Sequence, residues 1–336
     1  MVLSWQIYRL LLKKPFKISY GSYPHRDVLV VCLQHAGKMG FGECTEIDYY
    51  GVSLQAFVLQ LQEIQSQIEK HALVHPTEFY AFLESLSLNS FLRSALDCAY
   101  WDLFGKLENK SFLVLNQINY TELPESFITV SIGNIKNQIT EMKDWGWKYV
   151  KVKINETHVN ELPELLQGAP VVALDANGSL QTHQAKWLQE QKWAKDFAFI
   201  EQPLAFGKSL YKNLSAHTHP LWMADEDCKT AEDLQKLQPH YGAINIKLMK
   251  CGGLTPALQM ITQARALGYK IMVGCMTESS IGISAGAVLA PLVDYIDLDG
   301  PTLIQNDIAQ GSFIENGKIH LSEKAGLGIS INYEGF

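Results

Sequence analysis

Short β-rich runs recur along the chain at 127–132, 148–154, 171–175, 197–201, 221–225, 243–248, 271–276 and 293–299, each followed by an amphipathic helical stretch. Strand ends at residues 153, 175, 201, 225, 247, 275 and 297 are spaced by 22, 26, 24, 22, 28 and 22 residues. Eight units at this period are the signature of a β/α barrel, in which parallel strands close on themselves and helices cover the outside. A doubly wound open sheet gives the same alternation, but no Gly-x-Gly-x-x-Gly follows any strand. The expected fold class is therefore α/β, with a TIM-like barrel over residues 116–305.

The flanking segments follow other rules. Residues 2–12 and 27–35 are rich in β-formers, and Gly37, Gly40 and Gly42 are expected to punctuate a hairpin. Helical spacing takes over at 54–69 and 79–106. Residues 1–115 are thus expected to form an α+β domain. After 305 the chain reads as turns and short strands around Gly311, Gly317 and Gly326, and the tail, about 306–336, is expected to return and complete that domain.

Charge and patterning exclude several functions. There are 28 Lys and Arg against 35 Asp and Glu, a net charge of −7, which argues against a nucleic-acid partner because phosphate binding needs clustered basic charge. No run of 18 apolar residues occurs, and the least polar stretch, 280–293, is interrupted by glycines, so no membrane span is expected. Arg9, Lys13 and Lys14 break up the N-terminal apolar stretch, unlike a signal peptide. The six cysteines lie far apart without a Cys-x-x-Cys, as expected for free thiols in a reducing, cytoplasmic setting.

Strands that should be apolar carry ionisable residues at their C-terminal ends, the face where barrel active sites form. In Tyr149-Val150-Lys151-Val152-Lys153, period two puts both lysines on the barrel side and both valines towards the helices. Asp175, Glu201 and Asp225 end three consecutive strands. Neighbouring strands are about 4.8 Å apart, so the three carboxylates can converge, and a hard divalent cation such as Mg²⁺ relieves their repulsion. Taken singly, each acid reads more readily as a helix N-cap, and it is three in register that point to a shared site. Lys247 ends the sixth strand, opposite Lys153 on the second. An amine on each side of a substrate carbon suits proton removal from one face and delivery to the other. Asp297 and Asp299 share one face of the eighth strand and fit a substrate ammonium.

Lys151-x-Lys153, Asp175-x-Asn177, Glu201-Gln202-Pro203, Ala224-Asp225-Glu226, and Asn245-Ile246-Lys247 with Gly252-Gly253 resemble the muconate lactonizing enzyme subgroup of the enolase superfamily. Asp297-x-Asp299 is similar to the dipeptide epimerases within it, of the L-Ala-D/L-Glu epimerase type. The likeness runs the length of the chain. It implies a capping domain over a modified (β/α)7β barrel, with Mg²⁺ on Asp175, Glu201 and Asp225. It further implies Lys153 and Lys247 as acid/base catalysts of a 1,1-proton transfer, Lys151 neutralising the carboxylate that becomes an enediolate, and Asp297 and Asp299 on a dipeptide's ammonium. Thr129, Asn177, Cys275 and Met276 occupy pocket-lining positions of such enzymes. The arginine that reads a glutamate side chain in these enzymes aligns here with Gly21. Arg26 is the substitute candidate, although beside Asp27 it also reads as a surface cation. The alternatives are an o-succinylbenzoate synthase or cycloisomerase of the same subgroup, which the strand-eight acids disfavour, and a non-catalytic metal-binding barrel. The sequence assigns no role to Glu226 or Glu278, and it is compatible with a homo-oligomer without specifying one.

Overall fold

Strand β2 (Gly21–His35) lies between β1 (Val2–Ile18) and β3 (Lys38–Thr45) in an antiparallel sheet, and its period of two serves two cores. Val28, Val30 and Cys32 join the large core shared with the barrel, whereas Leu29, Val31 and Leu33 join a second core under the N-terminal helices. The structure, a computed structural model, describes residues 1–18 and 21–332. Residues 333–336 of the expected tail lie outside that range.

Two local expectations are corrected. Only Gly37 belongs to the hairpin turn, where Ala36 and Gly37 take φ of 47° and 74°. Gly40 and Gly42 instead let β3 rest on the helix Ser90–Glu108: a Cβ at Gly42 would lie 1.9 Å from the Ala95 carbonyl oxygen. The helical stretch 79–106 is also not continuous. Ser87 is left-handed at φ 52° and the Asn89 side chain accepts from the Phe91 N–H, so one helix ends (Pro76–Ser85) and another begins.

The barrel strands are β4 (Ile128–Val130), β5 (Tyr149–Lys153), β6 (Val171–Asp175), β7 (Ile200–Glu201), β8 (Trp222–Ala224), β9 (Ala243–Ile246), β10 (Lys270–Gly274) and β11 (Tyr295–Asp297). All eight fall within the runs read from sequence or one residue outside them. They pair in parallel and in chain order. The Phe127 N–H closes the cylinder on the Ile296 carbonyl at 2.8 Å. Inside, Phe127, Phe199, Met223, Ala173, Ala243 and Met272 form an apolar plug, with Tyr149 and Tyr295 against it. Two residues further along the same strands stand Thr129, Glu201, Asp225, Asp175, Asn245 and, from the tyrosines, Lys151 and Asp297. Period two therefore converts an apolar floor into a polar layer above it.

The capping sheet is tied to the C-terminal end of the barrel. Glu43 of β3 accepts from the Ser279 and Gly282 N–H groups at 3.0 and 3.3 Å and from the Ser279 hydroxyl, at the start of the helix Ser280–Ala287. Thr45 Oγ1 donates to the Thr277 carbonyl at 3.2 Å. The tail returns to the capping helices: Leu327 N–H donates to Asp102 at 2.8 Å, and Lys106 donates to the Ile329 carbonyl at 3.0 Å. Among the described residues no helix is long and apolar enough to cross a membrane. All six cysteines are free, and all but Cys275 are buried.

Candidate active site

In the closed order β4 to β11, three strands separate β5 from β9 in either direction, so Lys153 and Lys247 rise from opposite walls. One pocket at the C-terminal end is lined by both, together with Thr129, Lys151, Asn177, Cys275, Met276, Thr277, Asp297, Asp299 and Leu303. Arg26 and Ile47 complete it from the capping domain. Asp175, Glu201 and Asp225 end the strands between the two lysines and lie beneath the pocket, at most 1% exposed.

The ion pairs are ordered. Lys153 Nζ lies 2.5 Å from Asp175 Oδ2 and donates to Asn177 Oδ1 at 3.1 Å. Lys247 Nζ lies 2.8 Å from Asp225 Oδ2. Lys151 Nζ joins both halves of the site, at 2.9 Å from Glu201 Oε2, 2.5 Å from Asp297 Oδ2 and 3.5 Å from Asp175 Oδ2. Asp299 Oδ2 accepts from the Thr129 N–H at 2.7 Å, while Thr129 Oγ1 reaches Asp297 Oδ1 at 3.5 Å. Each group that sequence reasoning assigned to the site is therefore at the pocket or directly below it.

Burial drives the electrostatics, and charges decide its outcome. Burial opposes the charge on Lys151, yet Asp297, Glu201 and Asp175 hold its pKa well above the usual lysine value. Burial likewise works against ionised Asp225 and Asp175, but their lysines prevail and both stay below the ordinary carboxylate range. Glu201 is pushed up to about 7 by burial and then by Asp175. Glu226, beside Asp225 and within 3.3 Å of Asn177 Nδ2, is pushed to about 8, chiefly by burial. Asp299 rises to about 7 through burial and Asp297.

The donor set fits a hard cation. Three buried carboxylates, all oxygen, repel one another wherever a positive charge does not intervene. Among the described residues no group of three or more His, Cys, Asp and Glu side chains stands as a ready cation cage. Lysine ammoniums lie on one oxygen of each acid, yet burial and then the Asp175 and Asp225 charges still raise Glu201, so the trio retains negative charge that a cation can take up.

The sequence did not single out the pocket-lining Ile47, Thr277 and Leu303, and beneath the pocket it assigned no role to Lys250, Asn245 or Gln202. Lys250 is buried and donates to Asp225; Asn245 donates to Glu201 Oε1 at 2.7 Å. Gln202 accepts from the Asp225 and Asp227 N–H groups at 3.1 Å each. Arg26 is a correction: it is not a surface cation. Asp27 pairs with Arg9 at 2.7 and 2.8 Å, while Arg26 is 8% exposed, lies over the Tyr23 ring and donates to the Glu46 carbonyl at 3.1 Å. Its parity with Val28 and Val30 was the available signal, since those residues face the barrel.

Residues 134–335 match the family described as "Enolase C-terminal domain-like". An L-Ala-D/L-amino acid epimerase from a Maribacter species is 36% identical over 99% of this chain and 100% of its own. The L-Ala-D/L-Glu epimerase of Escherichia coli is 33% identical over 92% of this chain and 96% of its own. A crystal structure of the dipeptide epimerase from Methylococcus capsulatus, complexed with Mg and L-Arg-D-Lys, superposes with a TM-score of 0.86 at 27% identity, covering 97% of this chain and 98% of that one. Matched by the family model over most of its length and by full-length relatives above 30% identity, the chain belongs to the enolase superfamily.

Proposed function

We propose that this protein is a Mg²⁺-dependent dipeptide epimerase that inverts the α-carbon of the dipeptide's C-terminal residue. The observation that carries the reading is the pair Lys153 and Lys247, raised on opposite walls into one pocket and each seated on a different acid. A single general base needs no counterpart across the barrel, whereas a 1,1-proton transfer needs one on each face. Relatives along the whole chain are epimerases, and neighbouring structures hold Mg and dipeptides.

The α-hydrogen beside a carboxylate is a weak acid, and its removal builds a second negative charge on that carboxylate. Bound by Asp175, Glu201 and Asp225, Mg²⁺ supplies Lewis-acid stabilisation of that charge. Lys151, held ionised by the acids around it, adds a fixed positive charge from within the protein. Lys153 takes the proton on one face, Lys247 returns one on the other, and the roles exchange for the opposite epimer. Asp297 and Asp299 hold the α-ammonium, whose positive charge favours ionised Asp299 against the burial and the Asp297 charge that raise it to about 7. The same two acids disfavour the lyase alternatives, whose dianionic substrates they would repel.

A library of L,L-dipeptides incubated in D₂O with Mg²⁺ tests this directly. α-Deuterium is expected in the C-terminal residue of the accepted dipeptides, read by mass spectrometry. No label in any dipeptide would defeat the proposal. A companion prediction concerns Asp299→Asn: loss of a charge-assisted contact to the ammonium is expected to raise KM by about tenfold or more, with Mg²⁺ affinity changed little. Equal loss of both would show that the strand-eight acids serve the metal.

A further inference from the structure

Lys250 is a fourth buried lysine at this site, yet it lines no part of the pocket. Its Nζ lies 2.5 Å from Asp225 Oδ1, 2.5 Å from the Asp225 carbonyl, 3.1 Å from the Cys228 carbonyl and 3.0 Å from the Asn245 carbonyl. Two of these acceptors belong to Asp225, one to the loop that follows it and one to the neighbouring strand β9. A compact ammonium with three freely turning protons can serve such a cluster from one point.

The three acids follow one pattern. Asp175 Oδ1 accepts from the Asn177 N–H at 2.9 Å, Glu201 Oε1 from Asn245 Nδ2 at 2.7 Å, and Asp225 Oδ1 from Lys250. In every case the other oxygen faces a pocket lysine: Asp175 Oδ2 meets Lys153, Glu201 Oε2 meets Lys151, and Asp225 Oδ2 meets Lys247. One oxygen of each acid is committed to the scaffold and the second is presented to the site.

We infer that Lys250 is a positioning residue for the metal, fixing Asp225 through its Oδ1 and its backbone so that Oδ2 is aimed at the cation. This rests on the Mg²⁺ assignment made above. Asn177 and Asn245 orient the other two acids with neutral donors; Asp225, at the end of the short strand β8, is held by a charged one that also ties its loop to β9.

Charge and aim predict opposite signs, which makes the inference testable by Mg²⁺ binding alone. Removing a cation next to a ligand carboxylate would, by charge, tighten a divalent ion; removing the group that aims the carboxylate loosens it. Calorimetric Mg²⁺ titration of the full chain without substrate is therefore the readout, with thermal unfolding as a check on folding. Lys250→Met is expected to weaken Mg²⁺ about 10–100-fold, the usual effect of losing a partner of a metal ligand. Lys247→Met, which removes the pocket-side cation from the same carboxylate, is expected to leave binding equal or tighter. Should Lys250→Met fail to fold, Lys250→Arg keeps the charge but cannot set one nitrogen among four acceptors, and about tenfold weaker binding is expected. Unchanged or tighter Mg²⁺ in either folded Lys250 variant would overturn the inference while leaving the metal assignment intact. Absence of Mg²⁺ binding by the wild-type chain would overturn both.

Discussion

Lys153→Ala and Lys247→Ala are each expected to lower the kcat of epimerisation about a hundred- to ten-thousandfold, with KM much less affected. Both effects are large because neither amine has a substitute on its own wall. Lys153 occupies the Asp175 side with Asn177, Lys247 the Asp225 side, and the remaining pocket lysine, Lys151, is bound between Glu201 and Asp297 with its proton held firmly. The double variant is expected to be little worse than either single one, since groups acting as a unit lose their effect together. Steady-state kinetics on an L,L and an L,D dipeptide check this, and full activity in either single variant would refute the two-base scheme.

Removal of the metal has a comparable effect. Chelation, or Glu201→Gln, is expected to lower kcat by about a thousandfold, because Lewis-acid stabilisation of the developing dianion is worth several kcal/mol. Glutamine at 201 can still accept from Asn245 through its carbonyl oxygen. Its amide would then face the Lys151 ammonium as donor against donor, where Glu201 Oε2 now lies 2.9 Å away. On the proposed assignment the variant therefore loses a cation ligand and one of Lys151's acids at once. Mg²⁺ should restore activity to the chelated wild-type enzyme and leave Glu201→Gln largely inactive. Restoration of the variant by excess Mg²⁺ would place the third ligand elsewhere.

Parity along a strand is what makes this site legible in the sequence. Tyr149, Lys151 and Lys153 share one face of a strand whose valines point the other way, and the barrel that buries the valines against helices must turn the lysines inward. The same reasoning turned Asp297 inward and aligned the acids of three consecutive strands. Asp299 escaped it, because the eighth strand ends at Asp297 and Asp299 caps the helix Gly300–Leu303, reaching the site through the Thr129 N–H. It failed where partners are not side chains. Three of the four acceptors around Lys250 are backbone carbonyls, which no residue type marks, and a lysine in the helical turn after β9 reads as solvated. For Arg26 the adjacent Asp27 left a surface pair open beside the pocket reading, and only the structure removes it, since Asp27 faces Arg9 across the sheet. Gly40 and Gly42 read as turn residues in sequence because close approach of a helix backbone leaves the same glycine signature as a hairpin.

The stereochemistry of α-proton exchange in the single-lysine variants probes the opposed amines most directly. Each variant is incubated in D₂O with Mg²⁺ and either the L,L or the L,D epimer, and α-deuterium is read without requiring net epimerisation. The account predicts that Lys153→Ala exchanges one epimer and Lys247→Ala the other, each amine serving its own face of the carbon. Exchange of the same epimer by both variants would place the two amines on one face and contradict it.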